Sequence, residues 1–240
     1  MKIVILLSCC LFVYSLHGQK QIDDQIHGWV AYQGNHKLNN KLDLHTEYQW
    51  RRADGFANWQ QSLTRVGLDY KLNPNCTISG GYGWIISYPY GSQPIAAKTH
   101  ENRLWQQVNL KAQYGAVQIQ HRYRLEQRWV DTLFRQRIRY RAQCLLPLQK
   151  SYLAQGKGLF LNVNDEIFLG FGKGIGKNIL DQNRFIMALG YKFDQHFQLQ
   201  IGYLNQFVVK TNGVQMERNH TLWTSVVYNL DFFYLSRKKT

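Results

Sequence analysis

From Gln120 to Ala142 the chain reads QHRYRLEQRWVDTLFRQRIRYRA, with arginine recurring at alternate positions. Arg122, Arg124 and Arg128 share one parity with Glu126, and Arg135, Arg137, Arg139 and Arg141 share one parity on the next segment. Between them stand His121, Tyr123, Leu125 and Trp129, then Phe134, Ile138 and Tyr140. Successive side chains of a strand point to opposite faces. A hairpin of this sequence therefore has one cationic face and one apolar, aromatic face. A soluble sheet buries its apolar face under a second layer, and no helical pattern here supplies one. The arrangement left is a sheet closed on itself, apolar face to lipid and charged face inward.

The alternation continues through eleven strand-like segments, at about 25–33, 41–51, 61–72, 76–88, 101–114, the two halves of the arginine hairpin, 158–170, 181–193, 198–209 and 220–232. The second segment is the cleanest: Leu42, Leu44, Thr46, Tyr48 and Trp50 oppose Asp43, His45, Glu47, Gln49 and Arg51. The fourth has a small inward face of Thr77, Ser79, Gly81, Gly83 and Ser87, which leaves space or admits a large neighbour. Asn73-Pro74-Asn75, Tyr114-Gly115-Ala116 and Asp194-Gln195-His196 read as tight turns, and 89–100 and 210–219 as long loops. Short periplasmic turns and longer outer loops mark bacterial barrels. On that orientation Trp50, Trp84, Tyr88, Trp129 and Phe207 form an outer girdle and Tyr70, Tyr114, Tyr191 and Tyr228 a periplasmic one. The predicted fold is an all-β, transmembrane, antiparallel up-and-down barrel with an Arg-rich lumen. Bacterial barrels of one chain have even strand numbers. The expectation is therefore ten or twelve strands, twelve favoured, with either a strand uncounted or 25–33 not a full spanning strand.

The mean hydropathy of −0.40 does not oppose this reading, because only alternate residues face lipid. Lys2 followed by an apolar stretch to Leu16 reads as a secretory signal, 1–18, cleaved after Gly18. Residues 19–240 then form one barrel domain. Leu6-Leu7-Ser8-Cys9 loosely resembles a lipoprotein box, but the apolar stretch before Cys9 is too short for one. Cys76 and Cys144 fall on strands that are not neighbours, so neither a disulfide nor a metal site is expected.

The runs Arg65 to Tyr70, Gly81-Tyr82, Glu101-Asn102-Arg103, Gln106-Gln107, His121 to Arg128, Arg137 to Arg141, Asn164-Asp165-Glu166, Asp181 to Arg184 and Gly202-Tyr203 together resemble a family of unknown function, DUF2490. The resemblance covers nearly all of 19–240. It implies an outer-membrane β-barrel, and it brings no activity, substrate or catalytic residue.

By parity the inward cations are Arg51, Arg65, Lys71, Arg103, Lys111, Arg122, Arg124, Arg128, Arg135, Arg137, Arg139, Arg141, Arg184 and Lys192. The inward acids are Asp43, Glu47, Asp69, Glu101, Glu126 and Glu166. Unpaired guanidinium groups repel one another in a partly dehydrated lumen, so carboxylates, water or a bound anion must compensate. Two readings stay open. The interior is a packed Arg–Glu scaffold, as in many small barrels. Or it is a narrow channel or binding site for anions or acidic oligosaccharides, since rings of Arg and Lys make anion pores.

The alternative class is an enzyme acting on lipid from the outer wall, near His121, with Gln106 and Gln136 outward on flanking strands. A polar cluster on a lipid face is costly. No outward Ser accompanies it, and neither a nucleophile elbow nor a metal motif is present. The reading is thus non-enzymatic, without cofactor or metal. Its expected partners are outer-membrane lipid, the barrel-assembly machinery and an anionic solute. Nucleic acid is not expected, although the chain is basic with a net charge of +14, because the charges project inward and the chain is exported.

Overall fold

The computed structural model describes residues 21–91, 97–172, 175 and 178–237. The expected signal segment, 1–18, lies outside them. The strands are β1 (Gln21–Lys37), β2 (Leu42–Ala53), β3 (Asn58–Asn73), β4 (Cys76–Ser87), β5 (Thr99–Tyr114), β6 (Val117–Val130), β7 (Leu133–Pro147), β8 (Gly158–Gly172), β9 (Leu180–Lys192), β10 (Phe197–Val209) and β11 (Gln215–Tyr228). They pair in chain order and close into a barrel. Sequence neighbours are antiparallel, whereas β1 and β11 join in parallel, from Gln21 beside Gln215 to Gln33 beside Val227.

This corrects the expected strand count: among the described residues there are eleven strands, not ten or twelve. The segment at 25–33 is the middle of a complete strand. An up-and-down chain with an odd number of strands brings its first and last strands into the same direction. A parallel ladder then satisfies both edges, which would otherwise expose unpaired backbone. Gln21 therefore lies at one end of the barrel and Tyr228 at the other.

The register sets the tilt. The circuit that leaves β1 at Lys37 passes Asp43, Asp69, Ser79, Gln107, Arg124, Arg139, Phe168, Gln182, Val208 and Glu217, and returns to β1 at Asp23. That displacement along β1 is the stagger that closure of tilted strands requires. One end carries the β2–β3, β4–β5, β6–β7, β8–β9 and β10–β11 connections and is called here the loop end. The opposite end carries the tight turns at 74–75, 115–116 and 193–196, and is called the turn end.

The 210–219 connection is shorter than expected. β11 begins at Gln215, because Met216 and Glu217 already pair with Val209 and Val208. A longer connection falls at the turn end, where a short helix, α1 (Lys150–Gln155), caps β7–β8. It stops at Gly156, whose φ of 64° is the left-handed conformation glycine adopts without penalty. A second short helix, α2 (Phe232–Arg237), follows β11, and Asp231 at its start pairs with Lys37 at 3.6 Å.

The two faces divide as the alternation predicts. Leu68, Tyr82, Leu104, Leu125, Ile138, Leu189 and Leu222 are exposed outward. Arg65, Glu101, Arg103, Arg124, Glu126 and Arg139 are buried inside. Aromatic contacts cluster at both ends: Trp50, Phe56, Trp59 and Tyr88 at the loop end, and Tyr191, Phe193, Phe197 and Tyr228 at the turn end. The small inward face of β4 admits a large neighbour. Trp105, fully buried, lies over Gly67 and Gly81, where an added Cβ would stand 2.6 and 2.7 Å from its ring. Trp29, Ala188, Leu204 and Trp223 form an apolar cluster on the opposite wall.

Candidate functional site: the arginine-lined interior

The site follows from the β6–β7 hairpin. Its loop is only Asp131 and Thr132, and that short loop fixes the register. Arg128 faces Arg135, Arg124 faces Arg139 and Arg122 faces Arg141. Like charges directly opposite are destabilising, so the carboxylates must sit between them. Glu126, opposite Arg137, is fully buried at the centre. Its oxygens lie 2.7 Å from Arg137 and Arg139, 3.3 Å from Arg103, 3.8 Å from Arg65 and 4.0 Å from Arg124. Each guanidinium also holds a second partner. Arg65 pairs with Glu47 at 2.8 Å, and Arg103 with Glu101 at 2.5 Å. Arg139 pairs with Glu166 at 2.8 Å, and Arg124 donates to Gln107. Arg128 shares Glu101, and Arg122 shares Glu166. The lattice so formed crosses the lumen from β2 to β8.

Aromatic rings underlie the guanidinium planes. Arg139 and Arg184 lie 4.3 and 4.7 Å from the Phe168 centroid, Arg51 lies 4.1 Å from Trp29, and Arg124 lies 5.0 Å from Trp105. At these distances the ring quadrupole attracts the guanidinium charge.

The lattice separates two cavities. On the loop-end side a cavity of ≈ 200 Å³ is lined by Arg51, Arg65, Arg103, Arg128, Arg135, Arg137, Arg139 and Arg184, and by the single carboxylate Asp181. Three of these, Arg51, Arg135 and Arg184, have no carboxylate within ion-pair distance among the described residues. Arg51 is held by Gln49 and Gln61. The Nε groups of Arg135 and Arg184 are buried without a hydrogen-bond acceptor. On the turn-end side a cavity of ≈ 280 Å³ is lined by His45, Glu47, Asp69, Arg122, Arg141 and many amides. There His45 stands 3.5 Å from Asp69 and 3.8 Å from Glu47, and Asn162 accepts from Gln143 while donating to Gln200.

The interior thus brings together Arg65, Arg103, Arg122, Arg124, Arg128, Arg137, Arg139, Glu47, Glu101, Glu126 and Glu166. It leaves Arg135, Arg141 and Arg184 beside the lattice without a carboxylate partner of their own. Sequence parity missed Asp181, which receives Arg137 at 2.8 Å. A register shift at Phe168/Leu169 leaves Asp181 as the extra residue between Leu180 and Gln182, and a bulge of that kind re-aims a side chain. It also missed Trp105 and Phe168, which share the inward parity but carry no charge.

The outer-wall residues of the alternative reading, His121, Gln106 and Gln136, do not lie side by side. His121 Nδ1 hydrogen-bonds the Tyr140 hydroxyl at 2.9 Å. Gln106 bonds instead to Gln127, which faces Gln136 one strand on. Leu110 and Ala142 are the residues beside His121, several rungs nearer the turn end. Cys76 and Cys144 are free, on β4 and β7, with two strands between them.

The model of a protein family of unknown function, DUF2490, matches residues 26–217. The chain belongs to the DUF2490 family. No curated protein matches it. Among solved structures, this DUF2490 chain is similar to the siderophore receptor PirA from Pseudomonas aeruginosa. The identity is 11% and the TM-score 0.29, over 71% of this chain and 31% of that one. The chain therefore spans about a third of that receptor.

Proposed function

We propose that this DUF2490 protein is an outer-membrane barrel that is sealed to ions and binds anions in its loop-end cavity. The outward apolar rows and the aromatic clusters at both ends support a lipid-facing wall. Insertion would then involve the barrel-assembly machinery. The tight turns support a periplasmic turn end, so the loop-end cavity opens outward. The observation that carries the reading is Glu126: fully buried, it gathers five arginines into one lattice that crosses the lumen. Above that lattice, Arg51, Arg135 and Arg184 line one cavity and have no carboxylate within ion-pair distance among the described residues. A bound anion would offset their charge where the one lining carboxylate, Asp181, is already engaged by Arg137.

Calorimetric titration of the refolded protein with inorganic phosphate at low ionic strength tests this. Binding is expected, weakening with salt and at least tenfold weaker in Arg184→Gln. Equal binding by Arg184→Gln, with wild-type mobility on unheated gels, contradicts the assignment.

A further inference from the structure

Resting on that anion-binding reading, we propose that the loop-end cavity takes a phosphorylated monosaccharide. Its anionic part is met by Arg135 and Arg184. Both line the cavity, both lack a carboxylate partner among the described residues, and both bury an Nε without an acceptor. Guanidinium forks match phosphate oxygens in paired, charge-assisted hydrogen bonds. Arg184 is also pinned from behind by Phe168 at 4.7 Å and Trp29 at 5.2 Å, so its donors are held in place before any ligand arrives.

A bare anion leaves the rest of the wall unused. Asp181 lines the same cavity with one oxygen taken by Arg137 and the other without a hydrogen bond among the described residues. A free carboxylate oxygen beside an anion site repels a second anion but accepts from a hydroxyl. On the facing wall Gln61 accepts from Arg51 and donates to Ser87 at 2.8 Å, which leaves the Ser87 hydroxyl to donate to a ligand. The Gln182 amide lies beside Arg184. The site therefore offers cationic donors at one place and paired donors and acceptors at another, as a ligand with one phosphate and several hydroxyls requires. Size narrows the class. A cavity of ≈ 200 Å³ has the volume of about seven waters, which takes the phosphate and part of one sugar ring, the rest projecting toward the loop end, and excludes an oligosaccharide. The Glu126 lattice lies on its turn-end side.

The refolded full barrel would be titrated by calorimetry with glucose 6-phosphate, inorganic phosphate and glucose at equal ionic strength. Glucose 6-phosphate should bind at least tenfold more tightly than phosphate, and glucose should give no heat. Asp181→Asn should remove most of that tenfold advantage and leave phosphate binding in place. Arg135→Gln should weaken both phosphates, and serves also if Arg184→Gln fails to fold. Equal affinity for glucose 6-phosphate and phosphate overturns the sugar assignment alone. Absence of binding by both, or equal binding of glucose, overturns the anion reading beneath it.

Discussion

The two halves of the lumen are built from the same strands and differ in how charge is settled. At the turn end, acids sit next to bases: Lys71 with Asp43, Arg122 with Glu166, His45 between Glu47 and Asp69. Amides such as Asn162, Gln143 and Gln200 bond one another across the rest. At the loop end, eight arginines share a wall with Asp181. The lesson is that a cationic interior is not by itself a binding site. Most of these arginines are spent on the lattice; Arg51, Arg135 and Arg184 gather in one cavity without an ion-paired carboxylate of their own, whereas Arg141 shares the turn-end cavity with Glu47 and Asp69.

The largest effect is expected where the halves meet. Glu126→Ala removes the shared carboxylate and leaves several buried guanidinium groups facing one another. Breaking a buried ion pair from one side costs about 3–5 kcal/mol, so the variant should fail to assemble or unfold at much lower denaturant, read by heat-modifiable gel mobility. Assembly as stable as wild type would show that the lattice does not hold the barrel.

The assignment of inside and outside comes next. Ile138→Arg places a charge on the apolar face of β7 and should cost about 2–4 kcal/mol if that face meets the bilayer midplane. Its neighbour Arg137 faces the lumen, so the parity of this strand would be wrong if refolding into vesicles were unaffected. Crowding the glycines beneath Trp105 tests the interior: Gly81→Val would set a Cβ 2.2 Å from the Val66 carbonyl oxygen and 2.7 Å from the Trp105 ring. Overpacking of this kind costs about 1–3 kcal/mol, measurable as a shift in denaturant midpoint.

The comparison itself is sharpened by one matched pair. Arg135→Gln and Arg141→Gln each remove an inward arginine of β7 without a carboxylate partner, one from each cavity. Phosphate binding should weaken at least tenfold in the first and stay unchanged in the second. Loss in both would mean that net lumen charge, and not the loop-end cavity, attracts the anion.

The smallest effect belongs to the β9–β10 turn. Asp194 accepts from the backbone N–H groups of His196 and Phe197 at 2.7 and 2.9 Å, and these hold its carboxyl below the ordinary range. A lowered folded value stabilises above the unfolded pKa and loses that contribution as pH falls through the folded one. Asp194→Ala should therefore lower the denaturant midpoint slightly at neutral pH and leave it unchanged in strong acid.

Much of this was legible in the residues because strand periodicity is strict: one parity put Arg65, Arg103, Glu126 and Arg139 inside and Leu125 and Ile138 outside. What period two could not give was whatever interrupts it or joins distant strands. Asp181 turns inward at a bulge. The even-strand expectation failed because it concerns how β1 meets β11, and a sequence carries no local mark of parallel closure. Parity also tells which face a residue takes and not which residues of neighbouring strands share its height, as the alternative site near His121 illustrates. Gln106 and Gln136 share its face, and the register places them several rungs away.

The most direct test of the central claim is single-channel recording of the refolded protein in a planar bilayer. A lumen crossed by the Glu126 lattice predicts a fully inserted, heat-modifiable barrel with no steady conductance steps. Steady anion-selective steps from the wild-type protein would contradict it, because ions would then be passing the level at which five arginines close on one carboxylate.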